Sequence, residues 1–161
     1  MSVDMFLKID GIKGEAQDHK HKDEIDVHAW KWGANNAATT HTGTGGGSGK
    51  VHVHNISLSK WVDLATPSLM LACCSGKHFP KAVLTVRKAG EKPLEYMVIT
   101  MTDLLISVWS TGATDGQDRQ AEHIDLNFAK FKLDYKTQNP DGSPGVANEM
   151  GWDIAGNANA A

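Results

Sequence analysis

The stretch Thr66–Gly90, TPSLMLACCSGKHFPKAVLTVRKAG, constrains the fold most, because it holds the one well-signalled helix in a chain that otherwise reads as strands. Thr66 suits an N-cap, Pro67 the first helical position, and Gly76 the left-handed stop, which predicts a helix over about 66–75. Leu69, Met70, Leu71, Cys73 and Cys74 make this segment nearly all apolar, so it must pack against something. From Lys81 to Lys88 the pattern switches to period two. A single buried helix set into a β framework narrows the architecture considerably.

Strand patterns fill most of the remainder. Val3 to Ile9 alternates, and Ile25 to Trp32 puts Trp30 and Trp32 on one face with Lys31 on the other. Lys50 to Leu58 slips phase at Asn55, and Ile124–Phe128 slips again before Phe131, Leu133 and Tyr135; both slips suggest bulges. Val83–Lys88 and Leu94–Met101 flank a hairpin connection, KAGEKP, and Leu104–Trp109 is a further strand. Asn139–Gly142 (NPDG) is a turn, Trp152 and Ile154 suggest a last short strand, and residues 156–161 read as a disordered tail. The expectation is about seven to nine strands and one helix. Bulges that curve the sheets point to a mainly β fold, a β-sandwich closing toward a barrel.

With 161 residues, 40% hydrophobic and 22% charged, the chain is expected to form a single domain over 1–155. A net charge of −3 gives no general electrostatic reason to bind nucleic acid or an anionic membrane. Asp4, Lys8 and Asp10 interrupt the N-terminus where a secretory signal needs an apolar run, and nothing approaches a membrane span. Synthesis and folding in the cytoplasm are expected, with export by some other route left open. Cys73 and Cys74 are adjacent; helical geometry would strain a disulfide between them, so buried reduced thiols are expected rather than a redox pair.

Chemical motifs are sparse. Residues 33–49 form a long loop without periodicity or large apolar side chains beyond its start, the kind of segment that is commonly functional. Within it GTGGGSGK (Gly43–Lys50) imitates a phosphate loop. Thr44 occupies a required glycine position, and Val51 stands where Ser or Thr should hold magnesium; a strand follows instead of a helix, so a flexible arm is favoured over nucleotide binding. The pairs His19/His21 and His52/His54 could share a metal, yet lack further ligands at suitable spacing; no metal and no cofactor are expected. Ser48 and Ser75 miss the nucleophile elbow, and Asp115, Asp118 and Glu122 around Arg119 read as a charged surface loop. No activated catalytic group is recognisable, and no enzyme is expected. Trp30, Trp32 and Trp61 are assigned to the core first and to a protein interface second.

The blocks MFLKIDGIKGE (5–15), HKDEIDVHAWKWG (21–33), GTGGGSGKV (43–51), CCSGKHFPKAVLTVRKAG (Cys73 and on to Gly90), GQDRQAEHIDLNFAKFKLDYK (116–136) and GWDI (151–154) resemble, in order and over nearly the whole chain, the haemolysin-coregulated protein (Hcp) family of type VI secretion systems. The resemblance implies two antiparallel sheets in a β-barrel-like sandwich with one flanking helix. It implies hexameric rings stacked head to tail into the inner tube that a contractile sheath propels under a VgrG-type spike protein. It further implies that small secreted effectors ride in the lumen and that the subunit leaves without a signal peptide. By the same resemblance the Gly-rich loop becomes an inter-ring arm comprising Asn35, Asn36, Thr39, Thr40, His41, Thr42, Gly43, Thr44, Gly45, Gly46, Gly47, Ser48 and Gly49. Lys31, between the two tryptophans, falls where a lumen-facing residue is expected and would give a cationic collar favouring acidic cargo. Without a further domain after Ala161, a fused toxin form is not expected.

Two other readings compete. A monomeric β-sandwich binding module would use the Trp30/Trp32 face or the 111–121 loop as a concave aromatic site. A metal-dependent enzyme would use the histidine pairs and carry stoichiometric metal.

Overall fold

Two strands of 19 and 18 residues, Leu94–Gly112 and Ala121–Gln138, run through both layers of the molecule and set its shape. The structure is a computed structural model describing residues 2–37 and 49–160. In chain order the elements are β1 (Val3–Ile9), β2 (Ile25–Val27), β3 (Ala29–Lys31), β4 (Ala34–Asn36), β5 (Val51–Val53), β6 (Ile56–Trp61), α1 (Thr66–Ser75), β7 (Phe79–Lys88), β8 (Leu94–Gly112), β9 (Ala121–Gln138), β10 (Pro144–Asp153) and β11 (Ala158–Asn159).

All described strand pairings are antiparallel. One nine-stranded sheet follows the path β11-β10-β9-β8-β7-β1-β2, with β6 and then β3 branching from β9; β4 and β5 make a separate two-stranded sheet. The nine strands form two layers because β9 changes partner midway. Its first part, Ala121 to Leu126, pairs with β6, and its second, Lys130 to Gln138, pairs with β10. Between those parts the β8–β9 ladder passes from Leu104↔Phe128 to Thr102↔Lys130, and the skipped Asp103 takes φ 52°. The phase slip between Phe128 and Phe131 is this bend, and it lets both rings enter the core.

The sandwich is barrel-like without closing. β2 and β3, expected as one strand, are divided by a bend at His28, whose backbone N–H donates to Ser59 O at 3.0 Å. The slip at Asn55 likewise marks a boundary: β5 pairs with β4, whereas β6 pairs with β3 and β9. β10 is longer than the short last strand expected from Trp152 and Ile154, because residues 144–150 are mostly exposed and carry no period-two signal. Within the stretch 156–161, read from composition as a disordered tail, Ala158–Asn159 form β11, which pairs with Trp152 and Asp153.

The core is built from alternate strand residues, among them Leu7, Ile25, Ile56, Leu58, Leu84, Ile99, Met101, Leu104, Ile106, Ile124 and Leu126. Burying each such side chain contributes roughly 1.5–3 kcal/mol. Helix α1 adds only Leu69 and Ala72 to that core and packs on β8. Met70, Leu71 and Cys74 are exposed and Cys73 is half-buried, so the apolar segment is covered on one side alone and the expectation of two buried thiols fails.

The start of α1 also differs from expectation. Thr66 is the first helical residue, and Ala65 precedes it without a side-chain cap. Asp63 does the capping work instead: its Oδ1 accepts from Ala65 N at 2.9 Å. The Thr66 hydroxyl accepts from Asp63 N at 3.0 Å and donates to Glu122 Oε2. Gly76 closes the helix in the left-handed conformation, φ 67°, as its position predicts.

Lys60 and Glu122, opposite each other on β6 and β9, are completely buried. The Lys60 ammonium donates to Glu122 Oε2 at 2.8 Å, Asp63 Oδ1 at 2.9 Å and Trp61 O at 2.8 Å, so its three donors are all used. Trp109 Nε1 donates to Glu122 Oε1 at 2.9 Å. A second polar cluster pins the β1–β2 connection. Arg87 donates to Asp18 at 2.6 and 3.0 Å and to Asp4 at 3.1 Å, and lies 5.0 Å over the Phe6 ring. Phe6 in turn stacks on His21, whose ring nitrogens lie 2.8 Å from Glu24 and 2.7 Å from Glu95.

Breaking a buried ion pair on one side leaves an uncompensated charge, whereas an exposed pair is worth little. Glu122→Ala is therefore expected to lose about 3–5 kcal/mol of stability in urea unfolding. Glu149→Ala, which removes the carboxylate 3.2 Å from the exposed Lys132, should leave the unfolding midpoint nearly unchanged. Equal losses for the two variants would refute this account of the core.

Candidate functional site

The strands that turn Trp30, Leu58 and Ile124 toward the core present their alternate residues outward, and most of those are polar. Register sets them side by side in two rows: Lys31↔Ser57↔Asp125 and Ala29↔Ser59↔His123, across β3, β6 and β9. The outward face is concave. A groove of about 520 Å³ is lined by Lys31, His52, His54, Asn55, Asp125 and Asn127, together with their neighbours. A second hollow of about 550 Å³ joins it through Lys31, Ser57 and Asp125, and extends to Ser59 and His123. The two make one trough with Lys31 at its middle.

Polar contacts hold its floor. Ser59 Oγ lies 2.8 Å from His123 Nδ1, Asn127 Nδ2 donates to Asn55 Oδ1 at 2.9 Å, and Asn55 Nδ2 donates to Ser107 Oγ at 3.2 Å. Trp32 Nε1 donates to His54 O at 3.0 Å, which ties β5 to the strand carrying Lys31. Outside both hollows, the His28 ring sits 4.5 Å from Trp61, and the Arg119 guanidinium lies 4.9 Å from the same indole. Partial burial holds the His28 imidazole below its ordinary value, and the neighbouring charges of His123 and Arg119 push it the same way.

The sequence-derived candidates separate clearly. Lys31 lies in the trough, exposed, on the face opposite Trp30 and Trp32, which pack against the core. Trp61 does not join the core. It forms the outer stack with His28 and Arg119. Asn35 and Asn36 pair with His52 and Val51 at the neck of the β4–β5 hairpin, and Asn35 Oδ1 accepts from His54 Nε2 at 2.9 Å. Gly49 lies so close to Ala37 that a Cβ there would stand 2.8 Å from the Ala37 carbonyl oxygen. Thr39, Thr40, His41, Thr42, Gly43, Thr44, Gly45, Gly46, Gly47 and Ser48 lie outside the described residues.

The histidine pairs do not behave as pairs. His21 is buried between two carboxylates while His19 is exposed; His52 and His54 have ring centroids 5.2 Å apart, with His54 already bound to Asn35. Among the described residues no group of three or more His, Cys, Asp and Glu side chains is placed to hold a metal ion. Glu122, read with Asp115 and Asp118 as part of a charged loop, belongs to the buried network, and Arg119 meets Trp61 rather than a carboxylate. Sequence reasoning missed Ser57, Ser59, His123 and Asp125 as members of one face. The signal was present in the alternation of ISLSKW and EHIDLN, which becomes a surface only once β6 is known to pair with β9.

This architecture, a mainly β barrel-like sandwich with one helix, is that of type VI secretion proteins. A solved structure described as a type six secretion system protein superposes with a TM-score of 0.93 at 30% identity, covering 99% of this chain and 100% of its own. Hcp1 from Salmonella typhimurium superposes with a TM-score of 0.83 at 41% identity, with coverage of 99% and 100%. The Hcp family model, described as "Type VI secretion system effector, Hcp", matches residues 6–135. Protein hcp1 of Pseudomonas aeruginosa is 49% identical over 162 residues, covering 99% of this chain and 100% of that protein. The chain belongs to the Hcp family and is a type VI secretion tube protein. No helix of the described residues is long and apolar enough to cross a membrane.

The state of His28 gives the site a pH signature. A base held below its ordinary value in the folded state binds fewer protons there than in the unfolded chain. Stability is then lost as pH falls below the ordinary value of 6.5 toward the folded value. His28→Gln is expected to shrink the loss of thermal midpoint between about pH 7 and pH 5, relative to the parent protein. An unchanged acid slope would show that His28 is not held in this way.

Proposed function

We propose that this chain forms hexameric rings that stack head to tail into the inner tube of a type VI secretion system, with the trough around Lys31 facing the channel. The observation that carries this reading is the division of β3, β6 and β9 into an apolar core face and a continuous polar, concave outer face. A tube wall needs such a face: a wetted lining that cargo can slide along, backed by a rigid core. One side of β10 over residues 144–150 has no strand partner among the described residues and offers backbone groups that a neighbouring subunit can cover.

The domain spanning 1–155 acts as one unit, and the arm of residues 35–49 reaches the adjacent ring from the β4–β5 neck. Glycine-rich sequence suits that task, since it lets backbone follow a partner surface at little steric cost. The partners are further copies of this chain, a VgrG-type spike, the contractile sheath and secreted effectors in the lumen; nucleic acid and membrane have no part. The protein folds in the cytoplasm and leaves by a signal-peptide-independent route. Shape and surface suffice for this role, and no catalytic step is assigned to the chain.

Negative-stain electron microscopy of the purified protein tests the assembly. Sixfold rings with an open centre are expected; uniform monomers at high concentration would overturn the ring reading and favour a monomeric binding module. Lys31→Glu reverses the charge at the middle of the trough, so the set of effectors that co-purifies and is secreted should change. An identical effector set with undiminished secretion would remove Lys31 from cargo contact.

A further inference from the structure

We infer that the C-terminal half of α1 is a site for a soft, thiophilic monovalent metal ion of the Cu(I) class, held by the thiolates of Cys73 and Cys74 with the thioether of Met70 as third donor. The inference goes beyond the tube reading and does not rest on it.

The three sulfurs come from one stretch of helix. α1 runs from Thr66 to Ser75, with Leu69 and Ala72 buried against the core. At about 100° per residue, Met70 stands one turn before the cysteines and between them, about 60° from Cys73 and about 40° from Cys74 around the axis. Side chains three and four residues apart are surface neighbours, with Cβ atoms roughly 5–6 Å apart. Helical side chains lean toward the N-terminus, so both thiols lean over the turn that carries Met70. Methionine is unbranched and flexible, which lets its sulfur meet them.

The surroundings are those of an open site with a sheltered floor. Cys73 is half-buried and packs against the core, whereas Cys74 is exposed and Met70 is 41% exposed. Both cysteines are free, and no hydrogen bond engages any of the three sulfurs among the described residues. Residues 64–76 contain no charged side chain. His78, the first imidazole beyond them, has its Nδ1 3.0 Å from Asp103.

The helical geometry that bars a disulfide suits a metal. A disulfide needs Cβ atoms about 3.5–4.5 Å apart and sulfurs at about 2.05 Å, which adjacent positions of an intact helix do not offer. A metal between two thiolates holds the sulfurs up to about 4.6 Å apart, twice a metal–sulfur bond of about 2.3 Å, so the helix need not unwind. The donor set then selects the ion. Thiolate and thioether are soft ligands that match Cu(I), which accepts two or three donors; structural Zn(II) sites take four, and Ca(II) and Mg(II) take oxygen. Binding breaks two S–H bonds and forms two S–Cu bonds, both protons pass to solvent, and the metal keeps its oxidation state.

The test is an anaerobic titration of the full chain with Cu(I) against the chromophoric chelator bathocuproine disulfonate. The parent protein should withdraw a single ion per chain, gain a near-ultraviolet thiolate-to-Cu(I) band, and have both cysteines shielded from iodoacetamide. Cys74→Ser and Cys73→Ala should each lower the affinity by about a hundredfold or more, and Met70→Leu by about tenfold with both thiolates still shielded. His78→Ala should bind as the parent does, and an equal concentration of Zn(II) should not displace the Cu(I). Cys74 and Met70 are exposed, so those two variants decide the matter if Cys73→Ala lowers the unfolding midpoint.

Failure to withdraw Cu(I) from the chelator would overturn the inference, as would a Cys74→Ser variant that binds like the parent. An ion shared between two chains would also overturn it, because exposed thiols of separate molecules would then be the ligands. Undiminished binding by Met70→Leu would refute the three-sulfur set.

Discussion

The buried Lys60–Glu122 pair is the contact on which the rest of the molecule depends. It joins β6 to β9 at the place where the second layer branches from the first, and Asp63 and Thr66 extend the same network to the start of α1. Two charges fully removed from water are costly unless every donor and acceptor is used. Here three donors of Lys60 and both oxygens of Glu122 have partners. Such a network does little to raise total stability compared with an apolar pair of equal volume, but it tolerates few alternative registers. A slip of β6 against β9 by one residue would bury Ser59 or Trp61 against Glu122 and strand both charges. The outward rows Lys31↔Ser57↔Asp125 and Ala29↔Ser59↔His123 inherit their register from that constraint.

Most of the framework was legible because its signals are local. The end signals Pro67 and Gly76 around the apolar segment of α1 and the period-two runs in β1, β7, β8 and β9 each follow from residues close in sequence. The phase slips were legible as irregularities, and their meaning was not. At Asn55 the slip separates two sheets, and near Ala129 it is where β9 exchanges β6 for β10, consequences that depend on partners far away in the chain. Elements that bury little were invisible: most of β10 is solvent-exposed, and β11 has two residues of alanine and asparagine. The N-terminus of α1 failed for another reason. Thr66 has the chemistry of a cap, but Glu122 takes its proton and Asp63 becomes available for the cap role. Tertiary contact overrode a sound local rule.

Lys31 could be placed on its face by alternation alone, since two tryptophans two residues apart fix which side is inward. Its surroundings could not, because Ser57, Asp125, Ser59 and His123 come from two other strands and acquire meaning only as a pleated surface. Sequence separation also explains the errors over charge. Glu122 and Arg119 stand three residues apart and read as one surface cluster, yet the start of β9 lies between them and sends one into the core and the other onto Trp61.

The two polar systems of this protein are built to opposite ends. In the core, Lys60 and Glu122 satisfy each other so completely that nothing is left over for a partner. On the outer face, Lys31 shares its register row with Asp125 and makes no ion pair among the described residues, and His28 is held below its ordinary value by burial first and then by His123 and Arg119. Each solution follows from position: a charge sealed from water must be matched within the fold, whereas one left at the surface is solvated without a partner.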